Sequence, residues 1–171
     1  MCIRDRMYEE SFKMPLIIKW PGQTKPGTTN ENLVQNLDYA ETFLEMAGAK
    51  VPDDMQGRSL VPLLKGEKIA DWRTSMYYHF YEYPSVHMCP KHNGVRTERY
   101  KLIQIYEFGE WEFYDLEKDP DEKTNQYNNP EYKTQIETLT AELESLRNKY
   151  GDDTVTGIRP KEWRDKYRVT K

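Results

Sequence analysis

The chain has 171 residues, 37% of them hydrophobic and 32% charged, with a formal net charge of −4 at pH 7. A mean hydropathy of −0.96 makes a lean core for this length, and 13 Tyr and 4 Trp must help fill it. The acidic balance argues against nucleic acid or an anionic membrane as a partner of the whole surface, and no apolar run approaches the roughly 20 residues that span a bilayer.

Met1–Arg6, MCIRDR, carries three charges and no helical or strand pattern, and a second Met follows at Met7. Back-translated, it resembles the end of a transposon-based sequencing adapter. We therefore set residues 1–6 apart as a foreign scar and expect the natural coding sequence to continue upstream. With Cys2 set apart, Cys89 stands alone. One thiol makes no internal disulfide, so cysteine usage leaves the redox compartment open.

MPLIIKWPG reads as a short buried strand, because Leu16, Ile17 and Ile18 run without alternation between Pro15 and the Pro21-Gly22 turn. After a loop rich in turn formers, LDYAETFLEMAGAKVP carries helix punctuation. Asp38 can cap the first turn with Glu41 three residues on, Ala40, Phe43, Leu44 and Ala47 form an apolar stripe, and Gly48 can take the left-handed stop. A strand followed by such a helix suits the end of an alternating α/β sheet. MQGRSLVPLLKGE then reads as a loop with a short apolar turn at Leu60 to Leu64.

SMYYHFYEY, GVRTERYKLIQIY and EWEFYDL are three β-prone runs, the last two separated by a hairpin loop around Gly109. They predict an antiparallel meander. A charged, turn-rich connection leads to a final helix. Its apolar residues Tyr132, Ile136, Leu139, Leu143, Leu146 and Tyr150 share one stripe, and Gly151 ends it. That repeat lasts only about three heptads, which favours packing on its own sheet over a coiled coil with a partner. No internal repeat is visible.

All three histidines fall in HFYEYPSVHMCPKHNG. His79 is placed in a strand, and His87 and His92 on the loop after Pro84, beside Tyr81, Tyr83 and Lys91. Imidazoles grouped with a lysine and phenols suit an anionic or hydroxylated ligand, since they donate at neutral pH and gain charge near an anion. The plainer alternative buries His79 and leaves the other two solvated. As metal ligands, His87, Cys89 and His92 lack the fourth member a structural zinc site needs. Cys89 as a nucleophile would need a base such as His92, and sequence proximity alone is weak support. RTERYK, which interleaves Glu98 among Arg96, Arg99 and Lys101, reads at least in part as a solvated strand face with paired charges. DLEKDPDEK lacks the spacing of an EF-hand loop and reads as a turn.

YEESFKMPLIIKWPG, NLDYAETFLEMAG, MQGRSLVPLLKG, HNGVRTERYKLI and EWEFYDLEKDPDEKTN, in that order from Met7 to about Gly151, resemble the C-terminal part of a type I sulfatase. The stretch YYHFYEYPSVH resembles bacterial sulfatases acting on sulfated sugars. The resemblance implies an α/β, alkaline-phosphatase-like fold whose C-terminal portion is a small antiparallel sheet packed by a helix. Residues 7–66 would end the catalytic domain, 67–151 would form the sheet-and-helix subdomain, and 152–171 an irregular tail. It also implies a formylglycine nucleophile made from a C/S-x-P-x-R motif, a calcium ion held by acidic residues and Asn, and a Lys ahead of MYEES, all upstream of Met7. CPKHN, at Cys89–Asn93, departs from that motif, so Cys89 has no catalytic role and this chain binds no metal or cofactor of its own.

The expected partners are a sulfated carbohydrate and the missing N-terminal part of the same catalytic domain, with no nucleic acid and no membrane. Family habit implies a periplasmic or secreted location. His87 and His92, with His79 behind them, are the candidates for contacting sugar hydroxyls or sulfate. Two other readings stay open: a phosphonate or phosphate monoester hydrolase of the same superfamily, and a non-catalytic carbohydrate-binding or interaction module. An isolated chain of this kind is expected to expose apolar surface, because LIIKW asks for neighbours on both faces.

Overall fold

A computed structural model describes residues 6–84 and 88–167, which divide into two units. One joins the first fifteen residues to Ser75 and everything after it; the other is Leu16–Thr74.

The larger unit is built on four strands, Ser75–Phe80 (β1), His92–Thr97 (β2), Tyr100–Ile105 (β3) and Glu110–Asp115 (β4). They lie in the order β1-β2-β3-β4 with every neighbouring pair antiparallel. The middle β-prone run thus folds into two strands around Glu98-Arg99, where the Thr97 hydroxyl bonds both the N–H and the carbonyl of Tyr100. Gly109, at φ +67°, closes the next hairpin in a conformation that favours glycine.

One face of the sheet presents the row Tyr77, Val95, Leu102 and Phe113, paired strand to strand across all four. The helix Lys133–Lys149 covers it with Leu139, Leu143 and Leu146, while Tyr132 adds to the same cluster and Ile136 and Tyr150 pack at its margin. The predicted stripe is the buried stripe, and it packs on the chain's own sheet. The opposite face is covered by Met7, Tyr8 and Phe12, from around the one-turn helix Glu9–Phe12, and by Trp163 and Tyr167 of the helix Lys161–Tyr167. The tail expected to be irregular therefore contains a helix, because its aromatic residues have Tyr83 and Phe108 to pack on.

The smaller unit departs further from expectation. Leu16 to Ile18 form no strand, and Ile17 is 90% exposed. An unalternating strand needs pairing partners and cover on both faces, and no other strand exists among the described residues of this unit. The helix Asp38–Met46 forms where predicted and ends at Gly48 with φ +68°, but its polar face is the buried one. Asp38 caps nothing. Its carboxylate instead takes both terminal nitrogens of Arg73 and the N–H groups of Gln35 and Arg58. Thr42 accepts from the Leu60 N–H at 2.8 Å. With Asp38, Glu41 and Thr42 turned inward, Phe43 is left 66% exposed. A small apolar cluster of Leu60, Leu63 and Trp72 completes this unit. The boundary lies between Thr74 and Ser75 and not at residue 66, and Met7–Phe12 belongs with the sheet because it is anchored on the strands.

Candidate functional site

Strand alternation decides which histidines can act together. His79 pairs with Asn93, the residue after His92, so His79 and His92 project from opposite faces of the sheet. His92 opens β2 and does not sit in the preceding loop. His87 lies outside the described residues.

On the helix-covered face, His79 is held on both sides. Its Nδ1 lies 2.5 Å from Asp152 Oδ2, and its Nε2 is 3.1 Å from the Tyr106 hydroxyl. A carboxylate can only accept, so Nδ1 carries the proton and, in the neutral ring, Tyr106 donates to Nε2. Burial lowers the imidazole pKa while Asp152 pulls it up. Asp152 also accepts from Tyr77, and hydrogen bonds from Thr154, Tyr77 and His79 outweigh burial to hold its carboxyl well below the usual range. This side chain locks the residue after the helix stop onto β1, and every nitrogen of His79 is occupied.

The other face carries the more open arrangement. Gly94 lies in the row Tyr78, Gly94, Ile103 and Glu112, and a Cβ there would come within 2.6 Å of both Met7 Sδ and the Leu102 carbonyl. The missing side chain makes the notch that Met7, itself fully buried, occupies. Lys101, also without solvent exposure, places its ammonium 2.6 Å from the Met7 carbonyl, 2.8 Å from Glu9 and 2.7 Å from Glu122. Arg96 adds two bonds to the Glu9 carboxylate at 3.0 and 2.9 Å. Despite its burial, Glu9 is held down to about 2 by hydrogen bonds and charge from Arg96 and Lys101. Two cations and two carboxylates thus balance beneath the segment Met7–Phe12, as buried charges must. Arg96 and Lys101 are therefore buried, while Arg99 keeps the solvated, paired role expected of RTERYK, bonding Asp115 and Glu117.

Beside this anchored segment lies a recess of about 240 Å³, counting its open mouth, whose lining includes Arg6, Met7, Tyr8, Cys89, His92 and Glu112. Glu112 is buried and accepts from Tyr8 at 2.8 Å and Tyr114 at 3.1 Å. Burial and that carboxylate push the Tyr8 phenol up to about 12. The His92 Nδ1–H donates to the Pro90 carbonyl at 2.8 Å, burial draws the ring down to about 4, and its Nε2, shielded from solvent, has no hydrogen-bond partner. The Cys89 thiol is buried. Among the described residues no three His, Cys, Asp or Glu side chains gather as a metal cage.

Sequence reasoning missed Glu9, Tyr8, Lys101, Glu112 and Asp152. A signal existed for Lys101: strand alternation puts it on one face with Ile103, and its pairing with Arg96 and Tyr114 brings a second charge to that face. Their acidic partners sit 87 to 92 residues away along the chain from Arg96 and Lys101 at Glu9, a separation no local pattern reveals.

Residues 4–149 match the family model described as N-sulphoglucosamine sulphohydrolase, C-terminal. The match takes in Arg4 to Arg6, which corrects the reading of residues 1–6 as wholly foreign: residues 4–6 align with the family. An N-acetylglucosamine-6-O-sulfatase of Bacteroides thetaiotaomicron is 45% identical over 150 residues, covering 86% of this chain and 27% of that protein. A solved structure of a protein in complex with its substrate D-glucosamine-2-N,6-O-disulfate superposes with a TM-score of 0.83 at 44% identity, over 86% of this chain and 31% of that one. A phosphonate monoester hydrolase from Silicibacter pomeroyi shares the fold at a TM-score of 0.65 and 23% identity, over 77% of this chain and 28% of its own. The chain thus spans between a quarter and a third of the length of these relatives. The shared fold is the alkaline-phosphatase-like α/β one, of which the small antiparallel sheet and its helix are present here. With the family matched over most of its length, the chain belongs to the N-sulphoglucosamine sulphohydrolase C-terminal family of sulfatases.

Proposed function

We propose that this chain is the C-terminal part of an enzyme that hydrolyses a sulfate ester on a sulfated carbohydrate, with a 6-sulfated glucosamine as the leading substrate. The observation that carries this is the 45% identity to an N-acetylglucosamine-6-O-sulfatase across 86% of the chain. In this reading the sheet unit is a platform. It anchors Met7–Phe12 through Lys101, Arg96 and the Gly94 notch, and it presents the recess beside Arg6 to the rest of the protein. The formylglycine and calcium are assigned to sequence outside this chain, which has neither the motif nor a gathered set of ligands among its described residues. The N-terminal part of the same domain is the proposed partner of the exposed Ile17 and Phe43 surfaces. A periplasmic or secreted location is part of the same proposal; among the described residues no helix is long and apolar enough to cross a membrane.

His92 keeps a place in this reading through the recess, and His87 through its closeness in sequence to His92. His79 does not reach that face, and its proposed role is to hold the helix terminus through Asp152. Recovering the coding sequence upstream of Met7 and expressing the longer protein tests the proposal. Release of sulfate from 6-sulfated N-acetylglucosamine, abolished when the Cys or Ser of a C/S-x-P-x-R motif is replaced by Ala, is expected. Turnover of phosphonate monoesters with no sulfate release would replace it with the monoesterase reading.

A further inference from the structure

The chemistry open to His92 is narrower than that of an ordinary surface imidazole. Its Nδ1 faces the Pro90 carbonyl at 2.8 Å, and a carbonyl has no proton to give, so the ring's proton is on Nδ1. In the neutral ring Nε2 is then a bare acceptor, and it is the nitrogen left without a partner. His92 is only 3% exposed, and burial disfavours the second proton that would turn Nε2 into a donor.

We infer that His92 recognises a hydrogen-bond donor of the ligand, a sugar hydroxyl or an N–H, and rejects a sulfate oxygen at that position. This rests on the carbohydrate reading above. The rest of the recess agrees. Glu112 is a second buried acceptor in its lining, already taking two phenol protons. Among the described lining residues the one cation, Arg6, interacts with the buried carboxylate of Glu112. A sulfate oxygen offers lone pairs to an Nε2 that also offers one, whereas a hydroxyl offers the proton that Nε2 lacks. The recess has about 10 Å³ of room for the centre of a water-sized group, enough for about one such group. It takes one substituent of a sugar and leaves the ring outside. Sulfate recognition is thereby assigned to other residues, and His92 becomes a determinant of which unsulfated hydroxyl or amide the substrate must present.

The test uses the whole 171-residue chain, labelled with nitrogen-15, and long-range proton–nitrogen correlation of its imidazoles at neutral pH, with His92 assigned by loss of its signals in His92→Phe. The expected result is a proton on Nδ1, a bare Nε2, and a saturable shift of Nε2 on titration with N-acetylglucosamine that sodium sulfate does not produce. A proton on Nε2, a shift with sulfate, or an Nε2 unmoved by the sugar in the folded chain would each overturn the inference. All three leave the sulfatase reading standing, because that reading is decided by turnover in the longer protein.

Discussion

Lys101 has no contact with solvent, and three oxygens surround its ammonium. Replacing it with Met removes one charge from a buried set of four and leaves Glu9 and Glu122 short of a cation. Breaking a buried pair in this way costs about 3–5 kcal/mol. The loss should appear as a lower urea midpoint, with fast amide exchange confined first to Met7–Phe12, the segment whose carbonyl Lys101 holds. His92 makes a pH prediction. Its folded pKa of about 4 lies below the unfolded value of 6.5, so between those values the unfolded chain binds a proton that the folded chain refuses. Stability therefore falls as pH drops through this window, by about 3 kcal/mol in all, and is unaffected by this group above it. Urea titrations of the wild type and His92→Phe should show the gap between them closing as pH falls from 7 toward 4. A gap constant with pH would mean that the ring is not buried neutral.

The helix Lys133–Lys149 supplies the larger share of the cover for one sheet face, and Leu143 is fully buried against it. Leu143→Ala should cost about 2–5 kcal/mol in thermal or urea unfolding, and exposed positions of the same helix such as Glu137 should tolerate change. Gly94→Ala tests the opposite face: the added Cβ meets a backbone carbonyl, which cannot swing away, as well as Met7 Sδ. Displacement of Met7 from the sheet is the expected result, read as lost protection of the N-terminal segment. Much of this was legible in the sequence because it is local. The stripe from Tyr132 to Tyr150, the Gly48 and Gly109 conformations and the hairpin of β3 and β4 each depend on residues a few positions apart. The helix Asp38–Met46 was legible in extent but not in orientation, since its apolar stripe faces out while Asp38 is claimed by Arg73, 35 residues away. The recess was half legible. Its histidine was one of the two leading candidates, alongside His87, but the segment that walls it, Arg6 to Tyr8, comes from the far end of the chain, and strand alternation splits His79 from His92 only once the register is known.

The Leu16–Thr74 unit as a whole relies on a small apolar cluster and the Asp38 node, and it leaves Ile17 at 90% and Phe43 at 66% exposed. Apolar side chains of this size on the surface favour self-association. Ile17→Ser together with Phe43→Ser should reduce light scattering of the purified chain while shifting its melting temperature little, as exposed substitutions do; a large drop in melting temperature would show that these residues already have a packed role. The family match, the anchored N-terminal segment and the absence of a C/S-x-P-x-R motif together support a platform whose reactive group is supplied by other sequence. The most direct measurement is sulfate release from 6-sulfated N-acetylglucosamine by the purified 171-residue chain alone. No turnover above the buffer rate is the predicted result, and sustained catalytic release by that chain would contradict the account.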